Sequence, residues 1–335
     1  MHMMLLLLPA KWIYKGQDKD FSFSDVYNPL DFGGARGCDA RSWSFFKSVN
    51  QDMWKYQDYA MGYKLTDPKD RMPLYIKPDK KISPKQVMDF MRDHYEGTKM
   101  DMTKDIGAGP YKLPYRWRPM RFEVDGQNYV HERAIATQQT GFWFMAQSRS
   151  WLPNPIGGIL WFGVDDAATS CLTPIYCSST KVPHEYAVGN GDLLTYSPTS
   201  AFWIFSRVAN SAYLRYDAIG ADVVKVVDEL ENRYLDMTKT VDDYALKLYK
   251  ENPDKAIEYL TDYSVSTAAA TFNRWKELDA YLLVKYIDGN IKKEKDGKFE
   301  RSETGMPVSP NQPALPEFWR RAIKNDAGET LKVVE

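Results

Sequence analysis

Apolar and polar positions divide the chain into four stretches. Over residues 1–81 the apolar pieces are short and irregular, punctuated by Asn28-Pro29, Gly33-Gly34 and Asp67-Pro68, and they read as loops and short helices. Ser83-Pro84-Lys85-Gln86 then sets a capping Ser before a first-turn Pro, with a Gln three residues on. That is the signature of a helix start, and Val87, Phe90, Met91 and Tyr95 supply its apolar face, with Gly97 as the stop. Alternation follows, as residues 118–124 and 128–137 flank Asp125-Gly126 and predict a hairpin. Residues 142–148 predict a half-buried strand, and 159–164, apolar throughout, a strand covered on both faces. Residues 171–176 predict one more, pushed to an edge by Pro174.

Beyond Gly189-Asn190-Gly191 the period becomes helical. Ser197-Pro198 opens a helix with Phe202, Phe205, Ala209, Ala212, Tyr213, Tyr216 and Ile219 on one face, and Val223, Val226, Leu230 and Tyr234 extend it. Residues 241–250 and 254–287 predict two further helices, the second with Leu260, Phe272, Trp275, Leu278 and Leu282 inward. The expectation is one domain over 1–335: irregular with short helices to 81, helix plus antiparallel strands over 82–180, helical over 181–289, and a charged, Pro-rich tail over 290–335. The class is α+β with a long helical C-terminal part.

Charge narrows the partners. Lys and Arg number 44 against 45 Asp and Glu, so there is no surplus to hold a polyphosphate, and nucleic acid is excluded as an expected partner. The apolar start at residues 3–10 is far short of the roughly 20 residues of a spanning helix, so no membrane span is expected. Lys11, Trp12 and Lys15 follow it directly, which makes it a poor secretory signal. The 22 Tyr, 15 Phe and 10 Trp imply a thick aromatic core and are the residue types that also line substrate clefts.

Candidate chemistry is sparse. His2, His94, His131 and His184 lack metal-ligand spacing, and the glycine-rich runs at 33–37 and 107–110 match no phosphate loop, so no metal is expected. Cys171 or Cys177 could pair with His131 or His184 as a nucleophile and base, but a free Cys is far more often a buried small hydrophobe. Asp165-Asp166, where the strand 159–164 ends, is more informative: its carboxylates suit a ligand ammonium, and a helix cap is the structural alternative.

The run from 101 to 176, with its segment GGILWFGVDDAATSCLTPIY, goes beyond pattern. Together with Gly34-Ala35-Arg36, Ala40-Arg41-Ser42-Trp43, Arg71-Met72-Pro73-Leu74, Ser200-Ala201-Phe202-Trp203 and Leu260-Thr261-Asp262-Tyr263-Ser264, it resembles the dipeptidase A type of cysteine peptidase. Those proteins are N-terminal nucleophile hydrolases, similar to penicillin V acylases and secernins. The resemblance implies a four-layer αββα sandwich, hydrolysis of dipeptides and other short peptides, and no cofactor. It also implies a nucleophile that is the first residue of the mature chain, a cysteine whose own α-amino group acts as base.

At that decisive point the sequence departs from the family, because Cys38, Cys171 and Cys177 are all internal. The expectation is therefore a hydrolase chain that resembles the C-terminal part of a dipeptidase, incomplete at its N-terminus, with the nucleophile strand missing and residues 3–10 as a remnant of a strand. A sandwich so deprived would expose a sheet edge and apolar surface and would associate, giving a homo-oligomer. A non-catalytic binding or assembly protein on the same scaffold is the other reading. Expected substrate contacts are Gln138, Gln139 and Thr140 for peptide groups, with a strand-end turn as the alternative role, and Asp165 or Asp166 for the free amine. Asn210, beside Arg207, is expected to be a buried hydrogen-bonder.

Overall fold

The computed structural model describes residues 21, 23–27, 30–63, 65 and 71–334. The apolar run at 3–10 lies outside them. The chain divides into two compact units, one formed by the residues up to Lys81 with Glu132–Ala134 and the other by the rest.

In the first unit, helix α1 (Ala40–Val49) follows a π turn over Ala35–Asp39 and leads into a 3-10 turn over Gln51–Tyr56. The fully buried Trp43 anchors it, its indole N–H donating to the Met53 carbonyl at 2.8 Å. Arg36 meets Glu132 at 2.8 Å, which ties the 132–134 segment into this unit.

The second unit opens with α2 (Pro84–Phe90), and the capping box is present as the sequence implies: Ser83 Oγ accepts from the Gln86 N–H and Gln86 Oε1 from the Ser83 N–H. The hairpin forms from β1 (Arg121–Val124) and β2 (Gln127–Val130), with Asp125 and Gly126 at φ 52° and 76°, the left-handed pair that a two-residue hairpin turn requires. Both strands are shorter than the predicted 118–124 and 128–137. A three-stranded antiparallel sheet follows, β3 (Phe142–Ser148), β4 (Gly158–Val164) and β5 (Thr173–Tyr176), in the order β3-β4-β5. Pro174 lies on β5, an edge strand among the described residues.

The register explains why the sheet has two different faces. Trp143 opposite Gly163 and Met145 opposite Trp161 form a buried face; α2 packs on β3, helix α3 (Ala201–Leu214) on β4, and helices α4 (Ala221–Glu251) and α5 (Pro253–Tyr286) on β5, with α5 along the free edge of β5, where Ser264 Oγ accepts the Tyr176 N–H at 3.0 Å. Phe142 opposite Val164 and Phe144 opposite Phe162 form the other face, where Phe142 is 60% and Phe144 53% exposed. The expectation that 159–164 is covered on both faces is therefore corrected: Leu160 and Phe162 are only half-buried among the described residues.

The helices also depart from their predicted bounds. The helix expected to run from Ser197 past Ile219 begins at Ala201 and stops at Leu214, because Arg215 adopts φ −154° and ψ 67°, and a π turn over Tyr216–Gly220 precedes α4. Residues 221–251 are one helix, although 235–240 carry no apolar stripe, because packing on either side of that stretch carries the helix through it. Asn252 then caps α5, its Oδ1 accepting from the Asp254 N–H at 2.9 Å. Asn210 is exposed, its amide donating to the Ser206 carbonyl at 2.7 Å one turn back, so the buried role expected for it is not found. Arg207 pairs with Asp279 at 2.9 Å. The tail holds a short hairpin, β6 (Glu294–Lys295) with β7 (Lys298–Phe299), and helix α6 (Glu317–Ala327).

Phe205 stacks on Trp275 at 4.3 Å and 5° where α3 crosses α5. At the far end of β5 the buried Arg149 guanidinium meets Asp242 of α4, and Tyr176 donates to the same carboxylate at 2.7 Å. Among the described residues no helix is long and apolar enough to cross a membrane. Removing one partner of a buried ion pair strands the other, so Asp242→Ala is expected to lower unfolding free energy by about 3–5 kcal/mol. Tyr176→Phe, which loses one hydrogen bond, should cost only about 1 kcal/mol, both measured by urea denaturation.

Candidate active site

The chemistry gathers where β4 ends. Asp165, at φ 68°, turns the chain out of the strand, and its N–H donates to the Gly141 carbonyl at 3.0 Å, just before β3 begins. Asp is one of the few residues that tolerate this left-handed conformation. Asp166 has no exposed surface and caps the 3-10 turn Ala167–Thr169, its Oδ1 accepting from the Ala168 N–H at 3.1 Å.

The two carboxylates have different surroundings. Asp166 Oδ2 accepts the hydroxyls of Tyr115 and Tyr213, the latter at 2.9 Å, so both of its oxygens are engaged. Burial, and after it the charge of Asp166, pushes both phenols far above their ordinary range, which leaves them donors at working pH. Tyr115 packs edge-on against His94 at 4.8 Å, and His94 Nδ1 lies 2.9 Å from Glu96. Asp165 is 5% exposed, and its Oδ2 is buried with no hydrogen-bond partner among the described residues. Burial first, then repulsion from Asp166, pushes its carboxyl up to about 7, against the lesser pull of the Asp166 N–H and the Ser206 hydroxyl.

A third group holds the loop that follows. Arg92 Nε donates to the Ala167 carbonyl at 3.0 Å and Nη2 to the Ser170 carbonyl at 3.2 Å, while the same Nη2 meets Glu231 at 2.5 Å. Glu231 in turn accepts the Leu172 N–H at 3.0 Å. The turn entering β3 sits at the same sheet end. There Thr137 Oγ1 donates to Gln139 Oε1 at 2.8 Å and the Thr140 hydroxyl to the Thr137 carbonyl at 2.8 Å, which is the turn role foreseen as the alternative. Gln138, half-buried, has no side-chain hydrogen bond among the described residues. Thus the five residues singled out from sequence, 138–140 and 165–166, come to one end of the β3-β4 pair, joined through the Gly141–Asp165 hydrogen bond. A cleft of about 360 Å³ adjoins this end through Gly141 and Val164, with Phe142, Tyr186, Phe202 and Trp203 also among its walls; none of the five predicted residues lines it directly.

Sequence reading missed Tyr115, Tyr213, His94, Arg92 and Glu231. Glu231 did leave a signal, since it falls at the third step of Val223, Val227, Glu231 along the buried face of α4, where a carboxylate must have a partner. Tyr213 was counted on an apolar face, and its hydroxyl gave no separate mark.

The cysteines are elsewhere in character. Cys171 is buried, and burial, followed by the charge of Glu231, pushes its thiol well above the ordinary range, the opposite of what a nucleophile needs. Cys38 and Cys177 are exposed.

Comparison with known proteins places the chain in a family. The profile of Peptidase family C69 matches residues 6–229, so the chain belongs to that family. A probable dipeptidase B of Lactococcus lactis subsp. lactis (strain IL1403) is 21% identical over 236 residues, 70% of this chain and 44% of that protein. The chain therefore covers less than half the length of that relative.

The raised carboxyl has a stability signature. Below about pH 4 the folded and unfolded states carry the Asp165 proton alike; from there to about 7 only the folded state keeps it, so stability falls as pH rises through that window. The loss attributable to this group is on the order of 4 kcal/mol. Asp165→Asn, which cannot ionise, is expected to melt at a higher temperature than the parent at pH 8 and to match it near pH 4. A parent whose margin against the variant does not change with pH would contradict the buried-acid assignment.

Proposed function

We propose that this chain is the substrate-binding part of a cysteine dipeptidase, and that the ionised Asp165 receives the free ammonium of a short peptide at the cleft beside β4. The observation that carries the reading is the contrast within the pair. Asp166 is saturated by Tyr115, Tyr213 and the Ala168 N–H, whereas Asp165 has an oxygen without a partner among the described residues and a carboxyl displaced upward by burial and by the charge of Asp166. An ammonium supplies that charge and draws the carboxyl back into its ionised form. Family membership and the likeness to a probable dipeptidase agree with a peptide substrate.

In this reading the sheet is one layer of an αββα sandwich. Helices cover its Trp143–Trp161 face, and the other face presents the half-bare Phe142, Phe144 and Phe162, where a second sheet would pack. The same face accounts for the expected self-association. The nucleophile is a cysteine at the start of a further segment: its thiolate attacks the peptide carbonyl, its α-amine takes the proton and passes it to the departing amine as the C–N bond breaks, and water releases the acyl group. The burial of Cys171 and the raised pKa of its thiol argue against that cysteine as the nucleophile. The same cysteine chemistry gives weight to a second reading, a protein that binds peptides without turning them over.

Two measurements test this. The chain alone is expected to bind a dipeptide such as Phe-Ala at pH 8 and to bind its N-acetyl form, which has no ammonium, at least about tenfold more weakly. Equal binding of the two would sink the role given to Asp165. Incubated with a dipeptide panel before and after iodoacetamide, the chain should release no amino acids in either case. Turnover abolished by alkylation would place the nucleophile among the cysteines at 38, 171 and 177. Adding an upstream segment that begins with Cys separates the remaining readings, since only the dipeptidase gains turnover.

A further inference from the structure

The cleft beside Asp165 has a composition of its own. Its floor and walls are Phe142, Val164, Tyr186, Leu193, Phe202 and Trp203, enough apolar surface to take a ring or a branched chain, and its volume of about 360 Å³ lies at the lower end of small-ligand sites. Among the described residues no basic residue lines it, and the charged residues that do are Glu185 and Asp192.

One wall is built with care. Asn190 Oδ1 accepts the hydroxyls of Ser197 at 2.6 Å and Thr199 at 2.9 Å, and its amide donates to the His184 carbonyl at 3.0 Å. Gly191, at φ 83°, brings the backbone so close that a Cβ would stand 2.8 Å from the Thr195 carbonyl oxygen. The same carbonyl receives the Trp203 indole N–H at 3.1 Å, so the loop and the tryptophan fix each other. A loop pinned at Asn190 and Thr195 holds an apolar slot open rather than letting Trp203 collapse into it.

We infer that this cleft is the specificity pocket for the side chain of the peptide's first residue, and that it selects large apolar or aromatic side chains and rejects acidic ones. The inference rests on the reading of Asp165 as the ammonium site, because the cleft shares Gly141 and Val164 with the turn that carries that residue. The first side chain branches from the carbon that carries the ammonium, so an ammonium at Asp165 sets that side chain next to the turn from which Gly141 and Val164 enter the cleft. An aromatic ring there leaves water for a wall of Phe202 and Trp203, whereas a side-chain carboxylate meets Glu185 and Asp192 with no cation to offset them.

The experiment is calorimetric binding of Phe-Ala, Gly-Ala and Asp-Ala to the 335-residue chain at pH 8, repeated with Trp203→Ala and with Asp165→Asn. Phe-Ala is expected to bind about tenfold or more tightly than Gly-Ala, the effect of removing an aromatic side chain from water. Asp-Ala should bind no better than Gly-Ala. Trp203→Ala should bring the ratio of Phe-Ala to Gly-Ala affinities toward one, whereas Asp165→Asn should weaken all three peptides by a similar factor and leave that ratio standing. Equal affinities for the three peptides, with the Asp165→Asn effect intact, would overturn the pocket and leave the ammonium site in place. Affinities insensitive to Asp165→Asn, or no binding of any peptide, would overturn both.

Discussion

Glu231 is a carboxylate with no exposed surface, and the organisation of the site depends on how it is neutralised. Arg92 supplies the charge at 2.5 Å, and Lys85 stands 3.7 Å from the other oxygen. Because the guanidinium also holds the carbonyls of Ala167 and Ser170, and Glu231 holds the Leu172 N–H, a single ion pair locks the loop from 167 to 172 against α4. Such a pair adds little net stability over an apolar substitute, but it is costly to break and fixes geometry. What it fixes is the exit of β4, and so the direction in which Asp165 and Asp166 leave the sheet.

The two aspartates then divide their tasks by environment. Asp166, neutralised by hydroxyl and amide donors, is a structural acceptor that binds Tyr115 and Tyr213 to the sheet end. Asp165 is buried with weaker donors, and burial, followed by the negative charge of its neighbour, keeps its proton on to about pH 7. Adjacent residues of one type thus differ in how far their oxygens are satisfied. The cleft walls draw on the same economy of parts, since Val164 ends the strand that delivers the pair and Gly141 accepts its backbone hydrogen bond.

Much of this was legible in the sequence, for reasons that can be named. Ser83 and Gln86 announce their helix because the capping box is local, and Asp125-Gly126 its hairpin because few pairs take both left-handed positions. Asp165-Asp166 stood out because charge at the end of an apolar strand has to face something. Long-range relations were not legible. Nothing near Arg92 tells that it reaches Glu231, 139 residues on, and Tyr115 and Asp166 are 51 residues apart. The break at Arg215 was hidden by an apolar face that continues through it, and the continuous helix through 235–240 by the lack of one. Residues 159–164 suggested a strand covered on both faces, because composition reports how apolar a strand is and not what lies against it.

The central claim is that an ammonium meets the ionised form of a carboxyl that otherwise holds its proton to about pH 7. Calorimetric titration of the chain with Phe-Ala at pH 6, in buffers of different ionisation enthalpy, counts the protons exchanged on binding. The account predicts release of about one proton per peptide bound, since binding ionises Asp165, and none from Asp165→Asn. Binding with no net proton release, or the same release from the variant, would contradict it.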